Sequence, residues 1–368
     1  MILIDTSSII HRTLHSSIAS AKPIEEDGKY LTSDFIGLAK YYFFQELFSI
    51  KQEHENNFGN LVLCLDESSN GYWRQDFYPP YKLQRRVSKA DEENKINYDE
   101  VFVHFNALLD QISKNLPFKV VNVPKAEADD VILVLSREYS KFEKILIHSP
   151  DKDMIQAQKN TENVFQYSPL TKKWIVAENK HENMEVWLNE HICLGDAADG
   201  VPRVIDGTEF SESFLKFLFQ EGHDLKNPME FKANLDKKEK IRLIQKFNVY
   251  VLNRKGESTG IKDVYLKRRF GPSNLKKEIS KAGSLDAWLD SHPMYRKHYN
   301  RNYTLVMEEG IPINIWNEIT IRHKEAKTDY NLKEFEDYLK ENNLTSILMN
   351  LPSVFKLNRE LTAEDFDW

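Results

Sequence analysis

Glu127-Ala128-Asp129-Asp130-Val131-Ile132-Leu133-Val134-Leu135 places three carboxylates within four residues, directly before an unbroken apolar run. Acids packed this tightly against a hydrophobic segment repel one another unless something cationic neutralises them. Pro124 ends an apolar stretch at 119–123, and the residues from Ala126 onward read as a helix whose first turn carries the acids. Negative charge at a helix N-terminus is locally favourable, which is the ordinary structural account of Asp129 and Asp130.

The same grammar recurs along the chain. Asp5 follows Ile2-Leu3-Ile4, and Asp66 follows Leu61-Val62-Leu63-Cys64-Leu65. Asp151 and Asp153 follow Ile145-Leu146-Ile147, and Asp196 and Asp199 follow Ile192-Cys193-Leu194-Gly195. Strand-like runs at 1–5, 60–66, 119–123, 144–148 and 163–167 alternate with helical periodicity at 34–51 and 98–115, the pattern of a parallel α/β sheet. Beyond about residue 185 the strand pattern fades. Helical segments follow at 184–194, 211–220, 236–247, 273–282, 284–291 and 331–341. The expected organisation is an α/β domain over 1–185, a helical domain over 186–350 and a tail over 351–368. Residues 68–95, polar, aromatic and basic, are expected to form a loop or helical arch over the first domain.

The chain has 368 residues, of which 41% are hydrophobic, enough for a large core in two domains. It contains no apolar run approaching the roughly 20 residues of a membrane span, and Met1-Ile2-Leu3-Ile4-Asp5 lacks the features of a secretory signal. Cys64 and Cys193 are too few for a disulfide framework, so the expected setting is reducing and cytoplasmic; the expected state is a monomer. The net charge of −7 hides a basic island: residues 254–281 hold nine Lys/Arg against three acids.

In an open parallel sheet, residues just beyond the carboxyl ends of the strands converge, and Asp5, Asp66, the Glu127 cluster and Asp151/Asp153 all occupy such positions. Each has a plain alternative as a strand terminator, a polar turn or a helix start. Oxygen-only ligation fits Mg²⁺ or Mn²⁺ better than Zn²⁺. Two such ions about 3.5–4 Å apart support phosphodiester hydrolysis. An aspartyl-nucleophile phosphatase wants a second Asp two residues after Asp5, where Ser7 stands, and no Gly-Lys-Ser/Thr phosphate loop is present. Tyr72-Trp73-Arg74 and Tyr81-Lys82-Leu83-Gln84-Arg85-Arg86 interleave aromatics with cations, a mixture suited to phosphates and unpaired bases.

Taken in order, Asp66…Tyr72-Trp73-Arg74…Tyr81-Lys82-Leu83-Gln84-Arg85, Glu127-Ala128-Asp129-Asp130, Ser149-Pro150-Asp151-Lys152-Asp153 and Gly195-Asp196-Ala197-Ala198-Asp199-Gly200-Val201-Pro202 resemble the signature blocks of the 5′-nuclease (flap endonuclease) family. The later Asn300-Arg301-Asn302-Tyr303 and Ile311-Pro312 look most like its T-even phage ribonuclease H branch. The resemblance implies a PIN-like parallel-sheet nuclease domain followed by a helical, helix–hairpin-type DNA-binding domain. It further implies two Mg²⁺ ions, replaceable by Mn²⁺, and exonuclease and flap endonuclease action on nicked or branched DNA and RNA–DNA hybrids. By position, Asp5, Asp66, Glu127 and Asp129 would form one metal site and Asp129, Asp151, Asp153 and Asp196 the other, with Asp130 and Asp199 as additional ligands. Lys82 and Arg85 would meet the scissile phosphate, with Tyr81 stacking and Arg86 binding nearby.

The family's closely spaced glycines after the Gly-Asp block are missing here. Lys267-Arg268-Arg269-Phe270-Gly271-Pro272-Ser273-Asn274-Leu275-Lys276-Lys277 supplies the expected duplex contact instead, through Arg268, Arg269, Lys276 and Lys277. The acidic, aromatic ending Glu364-Asp365-Phe366-Asp367-Trp368 reads first as a frayed terminus and second as an anchor for a partner such as a replication sliding clamp; a single-strand-binding protein is the other candidate partner. Two rival readings share these residues: a PIN-like single-strand endoribonuclease, and a nucleic-acid-binding protein without catalysis.

Overall fold

The computed structural model describes the chain except for residues 83–94, 160, 177–183, 206–211, 226–229, 231–233, 237, 240–241, 244–245, 247–269, 329 and 356–368. Arg85, Arg86, Arg268, Arg269, most of the expected 236–247 helix and the aromatic ending therefore lie outside the described residues. The chain forms two compact units. The first takes its described residues from Met1–Asp76, Ser88–Glu182 and Ile311 onward, the second from Phe77–Val87 and Asn183–Gly310.

The first unit is built on a six-stranded sheet in the order β5-β4-β1-β6-β7-β8. Its strands are β1 (Ile2–Asp5), β4 (Leu61–Cys64), β5 (Lys119–Val121), β6 (Ile145–His148), β7 (Val164–Ser168) and β8 (Lys173–Ile175). The first five run parallel, and β8 closes the edge antiparallel to β7. A two-stranded ribbon, β2 (Glu25–Glu26) with β3 (Lys29–Tyr30), lies outside the sheet. The five expected strands are present. The edge strand β8 was not expected: at three residues it is too short to show a period.

Alternation along the strands divides the core. Ile2, Ile4, Leu61, Leu63 and Leu146 pack with α1 (Thr6–Ala21), α2 (Ile36–Phe58) and α4 (Tyr98–Asn115) through Phe43, Phe44 and Phe105. Among the described residues between α2 and α4 lies one short helix, α3 (Trp73–Phe77). On the other face Leu3, Val62, Cys64, Ile145 and Ile147 meet α5 (Ala128–Tyr139), where the run Val131–Leu135 is wholly buried. Helix α1 was not among the expected helices. Its Ser/Thr-rich sequence is a poor helix former, and Thr13 and Ser17 turn their hydroxyls back onto the carbonyls of Ile9 and Leu14.

The second unit is helical. Among its described residues the helices are α6 (Met184–Leu194), α7 (Glu212–Gln220), α8 (Pro272–Ala282), α9 (Leu285–Asp290) and α10 (Pro293–Val306), with Cys193, Val204, Leu275, Trp288 and Leu289 in a core cluster. From Ile311 the chain belongs to the first unit again. Helix α11 (Ile313–Glu325) packs Ile315 and Ile319 with the α5 face, and α12 (Leu332–Glu341) places Phe335 against Phe44 at 5.6 Å. Burial of a side chain such as Phe335 contributes about 1.5–3 kcal/mol, so the returning segment is part of the core of that unit. No helix of the described residues is long and apolar enough to cross a membrane.

Two buried histidines give the first unit an acid-sensitive stability. Burial, with Arg12 and His54 nearby, holds His148 down at about 3; burial, with Lys119 nearby, holds His323 down at about 4. Each group's folded value lies below its unfolded one, near 6.5. Their contribution is therefore complete above about pH 6.5 and is lost as pH falls toward those folded values. Each should add a slope of up to about 1.4 kcal/mol per pH unit. Urea midpoints measured from pH 7 down to 5 should fall accordingly, and His148→Phe should flatten the curve. A flat wild-type curve over that range would contradict the assignment.

Candidate active site

The sheet order turns at β1: β4 and β5 extend it one way, β6 and β7 the other. A crevice beyond the carboxyl ends at such a turn is where open α/β sheets bind ligands. Asp5 ends β1 in register with Cys64, so Asp66 leaves the neighbouring strand two residues further on. On the other side Ile4 pairs with His148, and Asp151 follows from the end of β6.

Local hydrogen bonds fix each acid. Asp5 is the N-cap of α1, accepting from Ser8 N at 3.0 Å. Asp66 Oδ1 accepts from Ala128 N at 2.9 Å, which ties the loop after β4 to the first turn of α5. Asp151 Oδ1 accepts from Asp153 N at 2.8 Å at the head of a short 3₁₀ helix, Lys152–Gln158. Beneath that turn Gln166 of β7 donates Nε2 to the carbonyls of Ser149 and Asp151. Burial first, and then the carboxylates of Asp5 and Asp129, push the Cys64 thiol up. The charges of Asp5 and Asp129 are thus both felt at Cys64, the last residue of β4.

The counter-charge demanded by the 127–130 cluster is Arg74. Its Nη1 lies 2.7 Å from Glu127 Oε2 and its Nη2 lies 2.7 Å from Asp130 Oδ1. Asp130 Oδ2 also accepts from Trp73 Nε1 at 3.0 Å and from Glu127 N at 2.9 Å. The guanidinium stacks on the Trp73 ring at 4.4 Å. Arg74, Glu127 and Asp130 are 4%, 1% and 0% exposed, whereas Asp129 is half-buried. One guanidinium therefore holds two carboxylates of the cluster. Trp73 and Arg74, which read in the sequence as exposed nucleic-acid contacts, are interior residues instead.

The second unit carries the remaining acids. Asp196 Oδ1 accepts from Ala198 N at 2.7 Å and Asp199 N at 3.3 Å, inside a loop that begins at Gly195. Gly195 has φ +63, and a Cβ there would sit 2.4 Å from the Val201 carbonyl oxygen, so only glycine fits the turn. Tyr81 is buried and donates its hydroxyl to Asp199 Oδ2 at 3.0 Å; Lys82 N donates to the Asp199 carbonyl at 2.8 Å. Lys82 Nζ lies 3.7 Å from Asp199 Oδ2. Lys276 and Lys277 are exposed on α8, with Lys276 Nζ 3.1 Å from Glu190.

Residues 1–186, half of the chain, match the family model described as 5′-3′ exonuclease, N-terminal resolvase-like domain. The chain belongs to this family.

It is 35% identical over 164 residues to the ribonuclease H of Enterobacteria phage T4, a match covering 44% of this chain and 52% of that protein. It is 28% identical over 254 residues to a 5′-3′ exonuclease of Aquifex aeolicus (strain VF5), covering 66% of this chain and 79% of that one. The chain thus spans about half the length of the phage relative. A solved structure described as T5 D15 protein co-crystallized with metal ions superposes with a TM-score of 0.48 at 13% identity, over 88% of this chain and 98% of that one. Within the exonuclease domain, sequence reading singled out the acids and missed the groups that hold them. Arg74 was the detectable one, since an uncompensated acidic cluster calls for a cation.

Proposed function

We propose that this chain is a divalent-metal-dependent 5′-nuclease acting on 5′ flaps, nicked duplexes and RNA–DNA hybrids, with two Mg²⁺ ions as cofactors and Mn²⁺ as a substitute. The observation that supports it most is the gathering of Asp5, Asp66 and Asp129 at the carboxyl end of the sheet, while Arg74 engages Glu127 and Asp130. Asp5, Asp66 and Asp129 offer carboxylate oxygens, the donors that hard cations require. Asp5, Asp66 and Asp129 would hold one ion, with Asp129 shared toward Asp151 and Asp153. Asp196 and Asp199 are assigned to the same chemistry by the family resemblance. When bound, the ions would lower the pKa of an attacking water and neutralise charge on the leaving oxygen.

The chain's own residues do the rest. Arg74 holds Glu127 and Asp130 in a dry setting, so the carboxylate geometry is set before substrate arrives. Gln166 holds the 149–153 turn. Lys82 brings an ammonium that can exchange its Asp199 partner for a phosphate oxygen. The exposed Lys276 and Lys277 are placed on a helix suited to backbone contacts along a duplex.

The test uses a 5′-labelled flap, a nicked RNA–DNA hybrid and a single-stranded RNA, each with Mg²⁺ and with EDTA. Cleavage of the flap and the hybrid with Mg²⁺ alone is expected. Cleavage confined to single-stranded RNA would favour an endoribonuclease, and cleavage of none would favour a binding protein.

A further inference from the structure

Asn302 is fully buried in α10, within the second unit. Its Nδ2 donates to Ile192 O at 2.9 Å and to Pro202 O at 2.8 Å. Those carbonyls stand on either side of the loop that carries Asp196 and Asp199, so one amide pins both stems of the loop. Its Oδ1 accepts from Arg301 Nε at 3.0 Å and Nη2 at 2.8 Å. Arg301 reaches Pro202 O at 3.4 Å, and its guanidinium carbon lies 5.2 Å from the Tyr78 ring centre. Tyr78 leads directly into Tyr81 and Lys82, which bind Asp199. Within the loop Val201 N donates to Asp196 O at 2.7 Å, and Gly195 approaches Val201 and Pro202 too closely for any side chain.

A buried amide with both donors on main-chain carbonyls is an unusual use of an asparagine inside a helix, where its helix propensity is poor. An apolar residue would fill the space but take this donor from the Ile192 carbonyl and leave the Pro202 carbonyl with only the longer Arg301 contact. From this geometry we infer that Asn302, extended by Arg301, is a positioning residue: it fixes the Asp196–Pro202 loop and the Tyr78–Lys82 segment as one assembly before any ion or nucleic acid binds. Its consequence for catalysis rests on the nuclease reading above; its consequence for the loop does not.

The test compares wild type with Asn302→Asp, which keeps the acceptor for Arg301 but sets a carboxylate oxygen against the Ile192 and Pro202 carbonyls. Hydrogen exchange is measured on metal-free protein. Amides of residues 196–202 should exchange at least about tenfold faster, while α8 and α9 keep their protection. In flap cleavage, the Mg²⁺ concentration for half-maximal rate should rise about 10- to 100-fold, the scale seen when a ligand's supporting hydrogen bond is lost. Unchanged loop exchange, or faster exchange spread evenly over the unit with an unmoved Mg²⁺ dependence, would overturn the inference. If Asn302→Asp fails to fold, Arg301→Met removes the links to Pro202, Tyr78 and Asn302 Oδ1 but keeps the Asn302 amide donors; it should still give a rise confined to the loop, and no rise there overturns the role. The exchange result reads the loop directly and is independent of whether the wild-type chain cleaves a flap.

Discussion

Asp129→Asn is expected to lower single-turnover cleavage of a 5′ flap by about a thousandfold or more while leaving folding and nucleic-acid binding close to wild type. The substitution keeps the shape of a half-buried side chain in the first turn of α5 and removes only its charge. Withdrawing a charged oxygen donor removes several kcal/mol of transition-state stabilisation of the metal-assisted kind, and about 4 kcal/mol is a thousandfold in rate. Neighbouring acids give no relief. Glu127 and Asp130 are engaged by Arg74, and either could turn toward an ion only by giving up its buried contact with that guanidinium. Asp130→Asn makes the contrast: its carboxylate accepts from Trp73 and from the Glu127 amide, so its effect should fall mainly on stability. Flap binding with EDTA, urea midpoints and single-turnover rates for both variants decide the matter. Near-normal turnover in Asp129→Asn would refute its role.

The strands were legible because a buried parallel strand is an apolar run, and each run here ends in an acid or a turn-forming residue. From that pattern the ends of β1, β4 and β6, and hence Asp5, Asp66 and Asp151, could be placed before any coordinates. Helix α1 was not legible, since its Ser and Thr residues blur the periodicity and its stability comes from packing against α2. The return of α11 and α12 to the first unit was not legible either. An amphipathic face states that a helix is packed, not which element it packs on. Trp73-Arg74 shows the same limit at the site: an aromatic beside a cation is equally suited to stacking on a base and to filling a core around buried acids. Only the position of Glu127 and Asp130, more than fifty residues later, separates the two. Asn302 was read in the sequence only as part of the Asn300–Tyr303 block; its role carried no signal, because its amide donors meet main-chain carbonyls.

Arg74→Met is expected to be the most destabilising single change in the first unit. Methionine keeps much of the apolar stem volume and removes the guanidinium, leaving Glu127 and Asp130 buried without their shared cation. Breaking a buried ion pair by deleting one partner costs about 3–5 kcal/mol, a large share of the roughly 5–15 kcal/mol that holds a domain folded. The mechanism has a signature that lost packing lacks. Acidification should restore part of the loss, because protonating the orphaned carboxylates removes the uncompensated charge; wild type, governed by His148 and His323, should move the opposite way. Neutralising the acids in the same background should also compensate. Arg74→Met combined with Glu127→Gln and Asp130→Asn should be more stable than Arg74→Met alone, a coupling that a mutant cycle reads directly. Urea midpoints at pH 7 and pH 5 for these variants carry the test. If Arg74→Met loses under about 1 kcal/mol at pH 7, or if its loss is the same at both pH values, Arg74 is not the counter-charge of the acidic cluster and the carboxylates must be neutralised by another group.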